Sequence, residues 1–419
     1  MKLIGVCLAY FLVLLDTTVL TIALPDLRAT FGGSVAGQQW TVNAYTVAFA
    51  AALLTGGAIA DRYGAARVFK AGVAAFGLLS LVSAASPALE VLVGLRAALG
   101  VAGALCLGGS LGLIAELFPA PADRARATGV WAAVTGSALA AGPLLGGLLV
   151  DLYGWRAVFL INPPIALISW LAVRGVHSPP GGRRVDWAVQ GLACLSLGLF
   201  AQALIGASVP VAALACAALA ALVLVERRSH APALPGGLLA ATWPELLAGT
   251  AATFAFSGAL FVLTLLLQDV RHLTPLATGL AFLPLTLPMT VNPVVTGRIV
   301  ARYGARPPIL GGLSLLAAGL AGVALTEALT PWLVVMGFGL SFCLPALVAG
   351  VVSSAPSGSA GTAGGVLNAA RQAGATLGVA VLAGVGRPLL VASIVTALAG
   401  ACYAVAGGRR VRRPLGARS

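Results

Sequence analysis

The chain runs to 419 residues, of which 59% are apolar and only 9% charged, with a mean hydropathy of +1.01. A water-soluble domain carries roughly 25% charged residues because its surface faces water, so this surface must face lipid. The formal net charge of +13 does not signal nucleic-acid binding, because the basic residues sit in short clusters between apolar runs and form no continuous basic face.

A helix needs about 20 apolar residues to cross the hydrocarbon layer. The first such segment, 3–25, has the look of a secretory leader. The acid in its core, Asp16, and the missing small-residue cleavage site predict a retained span instead. Five further spans are expected near 40–60, 67–86, 89–117, 125–150 and 156–173, the last interrupted by Asn162-Pro163-Pro164. A pair follows at 187–206 and 209–226. Six more run near 243–267, 277–300, 308–327, 331–352, 361–385 and 388–407. The fold expected is an all-α polytopic membrane protein with fourteen transmembrane helices.

The longest polar or Pro/Gly-rich breaks, 174–186 and 227–242, set the expected division. An N-terminal six-helix bundle covers 1–175, a linker with two additional helices 176–230, a C-terminal six-helix bundle 231–408 and a basic tail 409–419. Cytoplasmic loops collect Lys and Arg, and a missed helix would invert every later loop. With both termini cytoplasmic, nineteen of the 25 basic residues fall inside and four outside (Arg28, Arg156, Arg271 and Arg387). The remaining two, Arg96 and Arg371, fall within spans. Trp40, Trp155, Trp187, Trp243 and Trp332 stand at span starts, where amphipathic rings prefer the headgroup layer.

The six cysteines are scattered singly through apolar stretches and the three histidines lie far apart. Disulfide frameworks and metal sites need converging ligands, so small buried thiols are expected, with no metal and no cofactor.

The chain also repeats itself. Gly57, Arg62, Tyr63, Gly64 and Ala65 recur as Gly297, Arg302, Tyr303, Gly304 and Ala305, and Gly129 and Gly142 recur as Gly365 and Gly378. Repeated six-helix halves are the trace of transporter folds whose substrate site lies between the halves.

At this point the residues resemble a known family. GGAIADRYGAARVF (56–69) is similar to the loop between spans two and three of major facilitator transporters, and TGSALAAGPLLGG (135–147) to their span-five antiporter pattern. LLDTTVLTIALPDL (14–27), GWRAVFLINPP (154–164), LLLQDVRHLTPLATGLAFLP (265–284) and NAARQAGATLG (368–378) resemble the fourteen-span drug:proton antiporters. The chain departs from that pattern at RAALG (96–100), which lacks the family's Gln, at Ala301, which replaces an acid, and in a very short last outer loop. The resemblance implies two pseudo-symmetric six-helix bundles plus two inserted central helices, located in the plasma membrane and driven by protons.

Asp16 is the sharpest single feature. It lies about 20 Å along the first helix, near the bilayer midplane, where a carboxylate must face a polar cavity or be protonated. It is expected to bind and release the coupling proton. Arg96 and Arg371 are embedded cations that must face the bundle interior. The resemblance assigns Arg96 to the proton-coupling machinery as the partner of Asp16, and Arg371, beside Asn368 and Gln372, joins them.

Asp61, Arg62 and Arg67 form an expected cytoplasmic gate, a charge latch for the outward-facing state with Glu116 as a partner. In it, Gly57 permits close helix approach and Gly64 a tight turn. Gly136, Gly142, Pro143, Gly146 and Gly147 form the expected antiporter helix, which seals leaks while allowing rocking. With no mid-span acid in spans seven to fourteen, the expected substrate is hydrophobic and neutral, weakly basic or zwitterionic rather than dicationic. The chain is expected to act as a monomer, without nucleic acid. Export of an endogenous metabolite is the alternative. A channel or receptor is remote, since neither a charged pore ring nor a sizeable soluble domain is present.

Overall fold

The computed structural model describes residues 1–32, 34–180, 187–206, 208–228, 236–356 and 360–411. Parts of the expected linker and most of the basic tail therefore lie outside the described residues. The side-chain surroundings of Gly136 do so as well.

The N-terminal portion is built from α1 (Lys2–Ile22), its short outer continuation α2 (Leu24–Phe31), α3 (Val35–Tyr63), α4 (Ala65–Ala84), α5 (Leu89–Leu117) and α6 (Pro121–Tyr153). The expected sixth span is split at Asn162 into α7 (Arg156–Leu160) and α8 (Asn162–Val173). Then come α9 (Trp187–Ile205) and α10 (Val209–Arg228). The second large portion opens with α11 (Leu238–Leu265), which runs into a π turn at Leu266–Val270. The expected tenth span is cut into α12 (Pro275–Ala281), α13 (Leu283–Val291) and α14 (Pro293–Tyr303). Pro284 and Pro293 stand at the starts of the last two pieces, where a missing N–H costs least. The chain ends with α15 (Arg306–Leu325), α16 (Leu329–Ser354), α17 (Ala360–Leu382) and α18 (Pro388–Val411).

Among the described residues ten helices can cross a membrane by length and composition, or eleven when α3, bent by 51° near residue 54, is taken as one span. The expected spans outside that count are the proline-cut α12–α14, the small-residue helix α17, and α6, of which Ser137–Tyr153 forms a shorter apolar stretch among the described residues. Two apolar clusters organise the helices. One surrounds Leu15, Phe69, Phe76 and Phe159 and draws almost wholly on α1–α8. The other surrounds Phe282, Leu316, Met336 and Leu347 and draws mainly on α11–α18. The pair α9 and α10 pack on each other, and α9 also lies along α3 and α17.

Lipid is as apolar as Leu, so helices associate through close packing at small residues rather than through hydrophobic collapse. Gly312 and Gly339 illustrate this, for a Cβ on either would stand 2.6–2.8 Å from the other's carbonyl oxygen.

The repeat is visible atom by atom. Gly64 and Gly304 both have positive φ, 91° and 80°. Arg62 and Arg302 lie over the rings of Tyr63 and Tyr303, at 5.3 and 5.2 Å. Gly142 packs on Thr18 of α1, and Gly378 packs on Phe254 of α11, so contacts recur at the same spacing as the glycines themselves.

Two expectations need correction. The cysteines are all free, but only Cys106 and Cys343 are buried. Cys194, Cys216 and Cys402 are exposed on α9, α10 and α18, where the neighbour in a membrane is lipid. Trp155 is 1% exposed rather than a headgroup anchor. It packs between Phe31 and Phe159 and donates its indole N–H to Thr30 Oγ1 at 3.2 Å.

Candidate functional site

Asp16 and Arg96 form a direct ion pair with essentially no exposure, 0% and 1%. Arg96 Nε also donates to the Thr41 carbonyl at 3.2 Å, and its guanidinium stands 4.4 Å from the centroid of the Tyr45 ring. Tyr45 in turn donates to the Val13 carbonyl at 2.8 Å, which ties α3 to α1. On the other side Asn162 Nδ2 reaches Asp16 Oδ1 at 3.5 Å and Ser80 Oγ at 2.8 Å. Ser80 then donates to the Phe159 carbonyl at 3.0 Å. Five helices thus converge on one carboxylate: α1, α3, α4, α5 and α8.

Asn162 and Ser80 were not singled out in the sequence, where Asn162-Pro163-Pro164 read only as an interruption. The interruption is functional geometry: it places an amide at the start of α8, beside the acid.

Between the two sets of helices lies a cavity. Its walls come from α1, α3, α6, α11, α16 and α17, with Thr17, Thr18, Thr46, Phe256 and Leu344 among them. Asp16 does not face it. At 100° per residue, Thr17 and Thr18 turn to the cavity while Asp16 points back into the first bundle. The expectation of a cavity-facing acid is therefore corrected to one that is sealed and ion-paired.

Arg371 does line the cavity, together with Asn368 and Gln372. Its Nη1 meets Asn368 Oδ1 at 3.4 Å, while its Nε is buried without a hydrogen-bond partner. Among the described residues it makes no ion pair. In the first bundle Tyr10 stacks on Trp131 at 4.0 Å.

Hydrogen bonds join the two bundles from mid-bundle to the α2 end. Thr46 and Thr376 hydroxyls meet at 2.8 Å, and Gln39 Nε2 donates to the Val379 and Ala380 carbonyls at 3.1 Å. Gln268 donates to the Ile22 carbonyl at 3.0 Å, and the exposed pair Arg28–Asp269 closes the rim at 3.4 Å.

The antiporter-helix glycines divide between two neighbours. Gly142 and Gly146 press on Thr18 and Val19 of α1, a Cβ on Gly146 standing 2.6 Å from the Val19 carbonyl oxygen. Gly147 faces the other bundle, where a Cβ would lie 2.5 Å from the Pro275 carbonyl oxygen. Reciprocally, a Cβ on Gly279 of α12 would lie 2.5 Å from the Pro143 carbonyl oxygen. The α6–α12 seam is backbone against backbone.

The gate residues sit together at the end of the bundle where α1 begins. Gly64 makes the turn with φ 91°, and a Cβ there would stand 2.6 Å from the Ser178 carbonyl oxygen. Asp61, Arg62 and Arg67 are exposed. Glu116 accepts a hydrogen bond from Ser178 Oγ, which itself accepts from the Ala66 N–H at 2.7 Å. In this conformation Glu116 is thus bound to the segment after α8 and not to the arginines.

Gly57 is not the close-approach residue, because a Cβ there meets nothing within 4 Å. The contact belongs to Gly56 and Gly108, one residue away and so about 100° around the helix. Gly57→Ala is therefore expected to leave the melting temperature of the purified protein unchanged, whereas Gly56→Ala costs roughly 1–3 kcal/mol through overpacking. Equal effects of the two substitutions would contradict the assignment.

The sequence reading also passed over Glu245, which lies at the edge of a predicted span. It is 4% exposed and accepts from Ser354 Oγ at 3.2 Å.

Comparison with known proteins fixes the family. The model of the Major Facilitator Superfamily matches residues 6–379. This chain belongs to the Major Facilitator Superfamily. It is 34% identical to the "Multidrug resistance protein Stp" of Mycobacterium tuberculosis, over 92% of this chain and 75% of that protein. It is 35% identical to the "Tetracenomycin C resistance and export protein" of Streptomyces glaucescens, over 91% and 74%. It is 36% identical to the "Puromycin resistance protein pur8" of Streptomyces alboniger, over 91% and 80%.

Among solved structures, this major facilitator protein superposes on the human organic anion transporter MFSD10 with a TM-score of 0.68 at 18% identity, covering 96% of this chain and 98% of that one. A bacterial homologue of the lysosomal transporter Spinster, inward-facing and occupied, gives 0.69 at 16% identity, covering 97% and 96%. These likenesses establish the all-helical transporter fold. The protein is a multi-pass membrane transporter with relatives named for drug and antibiotic resistance.

Proposed function

We propose that the protein is a fourteen-span, proton-coupled antiporter that exports a hydrophobic drug or antibiotic by alternating access. The observation that carries this reading is a sealed, ion-paired acid set just behind the wall of a cavity between the two bundles. Thr17 and Thr18 face the cavity while Asp16, on the same turn, holds Arg96, so substrate and proton act on opposite faces of one helix.

The seam along α6–α12 and α3–α17, closed toward the α2 end, supports an inward-facing state with both termini cytoplasmic in the plasma membrane. In the proposed cycle substrate enters from the cytoplasm while Asp16 is ionised and paired. Opening of the seam exposes the acid to the outside, protonation releases Arg96, and substrate leaves. Each entering proton contributes about 2.3 kcal/mol per 100 mV of membrane potential. Arg371 reports cavity occupancy to this machinery. The turn at Asp61, Arg62, Gly64 and Arg67 closes the cytoplasmic side in the opposite state, after Glu116 exchanges its Ser178 partner. The division into two six-helix bundles, two inserted helices and a basic tail, and action as a monomer, belong to the same reading.

The test is efflux of a panel of hydrophobic antibiotics from everted vesicles with and without an imposed pH gradient. Gradient-dependent transport of at least one compound supports the proposal, and transport that ignores the gradient for every compound overturns it.

A further inference from the structure

We propose that the central cavity takes a hydrophobic organic anion, whose acidic group seats on the Arg371 guanidinium. This rests on the export reading above and names the chemical class of its substrate. Among the described residues lining the cavity, Arg371 is the single charged one. No carboxylate stands on those walls, and the acid nearest in the first bundle, Asp16, is sealed away and held by Arg96.

A cation in a membrane cavity is costly and normally carries a partner. Here the guanidinium has one long bond to Asn368, while its Nε has no acceptor at all. The indole N–H of Trp131, 7% exposed in the stack on Tyr10, also lacks an acceptor. Two buried donors, one of them cationic, are therefore left without acceptors.

The missing component is a negatively charged acceptor, and a bidentate carboxylate or an acidic enolate fits a guanidinium best. The remaining walls include Leu14, Val42, Phe256, Leu260 and Leu344, so the rest of the molecule must be apolar.

The repeat makes the asymmetry explicit. At the spacing that carries Thr18 onto Phe254 and Gly142 onto Gly378, Asp16 falls on Ala252 and Arg371 falls on Thr135. One half therefore holds the acid, paired with Arg96, and the other the cavity-facing cation, which has no acid at the equivalent position of the first half.

The test is equilibrium binding to the full-length protein in lipid nanodiscs at neutral pH. Three isosteric probes serve: 2-naphthoate, 2-naphthamide and 2-naphthylmethylamine. Wild-type protein should bind the carboxylate about tenfold or more tightly than the amide, as a charge-assisted pair allows. Arg371→Gln should abolish that preference while changing amide binding by less than about twofold, and Arg371→Lys should keep part of it. Equal affinity for carboxylate and amide in wild type, a preference for the amine, or equal loss of all three probes in both variants would overturn the proposal. A carboxylate preference in a protein whose efflux ignores the pH gradient would overturn the proton-coupled reading and leave the Arg371 assignment standing. No binding of any probe would overturn both.

Discussion

Replacing Asp16 with Asn is expected to reduce proton-driven efflux to background while the protein still inserts and folds. Asn has the shape of Asp and its amide oxygen still accepts from Arg96, but it carries no exchangeable acidic proton. The guanidinium keeps the Thr41 carbonyl and the Tyr45 ring, so it is not orphaned by the substitution. The converse change behaves differently. Arg96→Ala leaves a carboxylate at 0% exposure with only Asn162 to hold it, and should cost about 3–5 kcal/mol of stability. Thermal melts in detergent and efflux in everted vesicles separate the two. Wild-type-like efflux by Asp16→Asn, or a more damaging effect on folding than Arg96→Ala, would contradict the roles given to the pair.

The second large effect is expected at Gly147. Its Cα faces the Pro275 carbonyl across the α6–α12 seam, and even one methyl group would stand 2.5 Å from that oxygen. Gly147→Leu therefore prevents the two bundles from closing at the α2 end and traps the protein open on that side. Export should stop. In a background with the six native cysteines replaced, a cysteine introduced at Thr46 or Thr376 should react several-fold faster with an impermeant maleimide added from outside. The contact these residues make at 2.8 Å lies behind the seam, so it is shielded while the seam is shut. Unchanged labelling with retained export would show that Gly147 packs without gating.

Much of this was readable in the sequence, for physical reasons that differ by residue. A carboxylate or guanidinium in an apolar run is legible because hydrocarbon tolerates neither alone, and that rule located Asp16, Arg96 and Arg371. The turn at Gly64 was legible because tight turns need the conformational freedom of glycine, and its twin at Gly304 carried the repeat.

What stayed hidden depends on helix rotation and on helix ends. Hydropathy places Asp16 at a depth but does not say which way it points, and one residue separates the sealed acid from the cavity threonines. The same 100° step moved the close-packing role from Gly57 to Gly56. Asn162 and Ser80 are uncharged residues within apolar stretches, so nothing in composition separates them from ordinary small polar residues. Glu245 was masked by its place at a span edge, where an acid is unremarked because water is near.

The spans least visible as continuous helices are those the site uses most. The tenth is cut by prolines into α12, α13 and α14, and its first piece seats Gly147 and the Pro143 carbonyl. The thirteenth is rich in Ala and Gly and carries Arg371. Low hydropathy there reflects a cavity wall and a helix–helix seam rather than a loop.

Coupling itself is the central claim, and proton flux measures it most directly. In proteoliposomes with a trapped pH dye and a clamped membrane potential, an outwardly directed gradient of a transported compound is imposed with no initial pH difference. Movement of the compound should drive protons the opposite way and change the lumen pH in the wild type, but not in Asp16→Asn. Movement of the compound with no accompanying change in lumen pH would contradict the account.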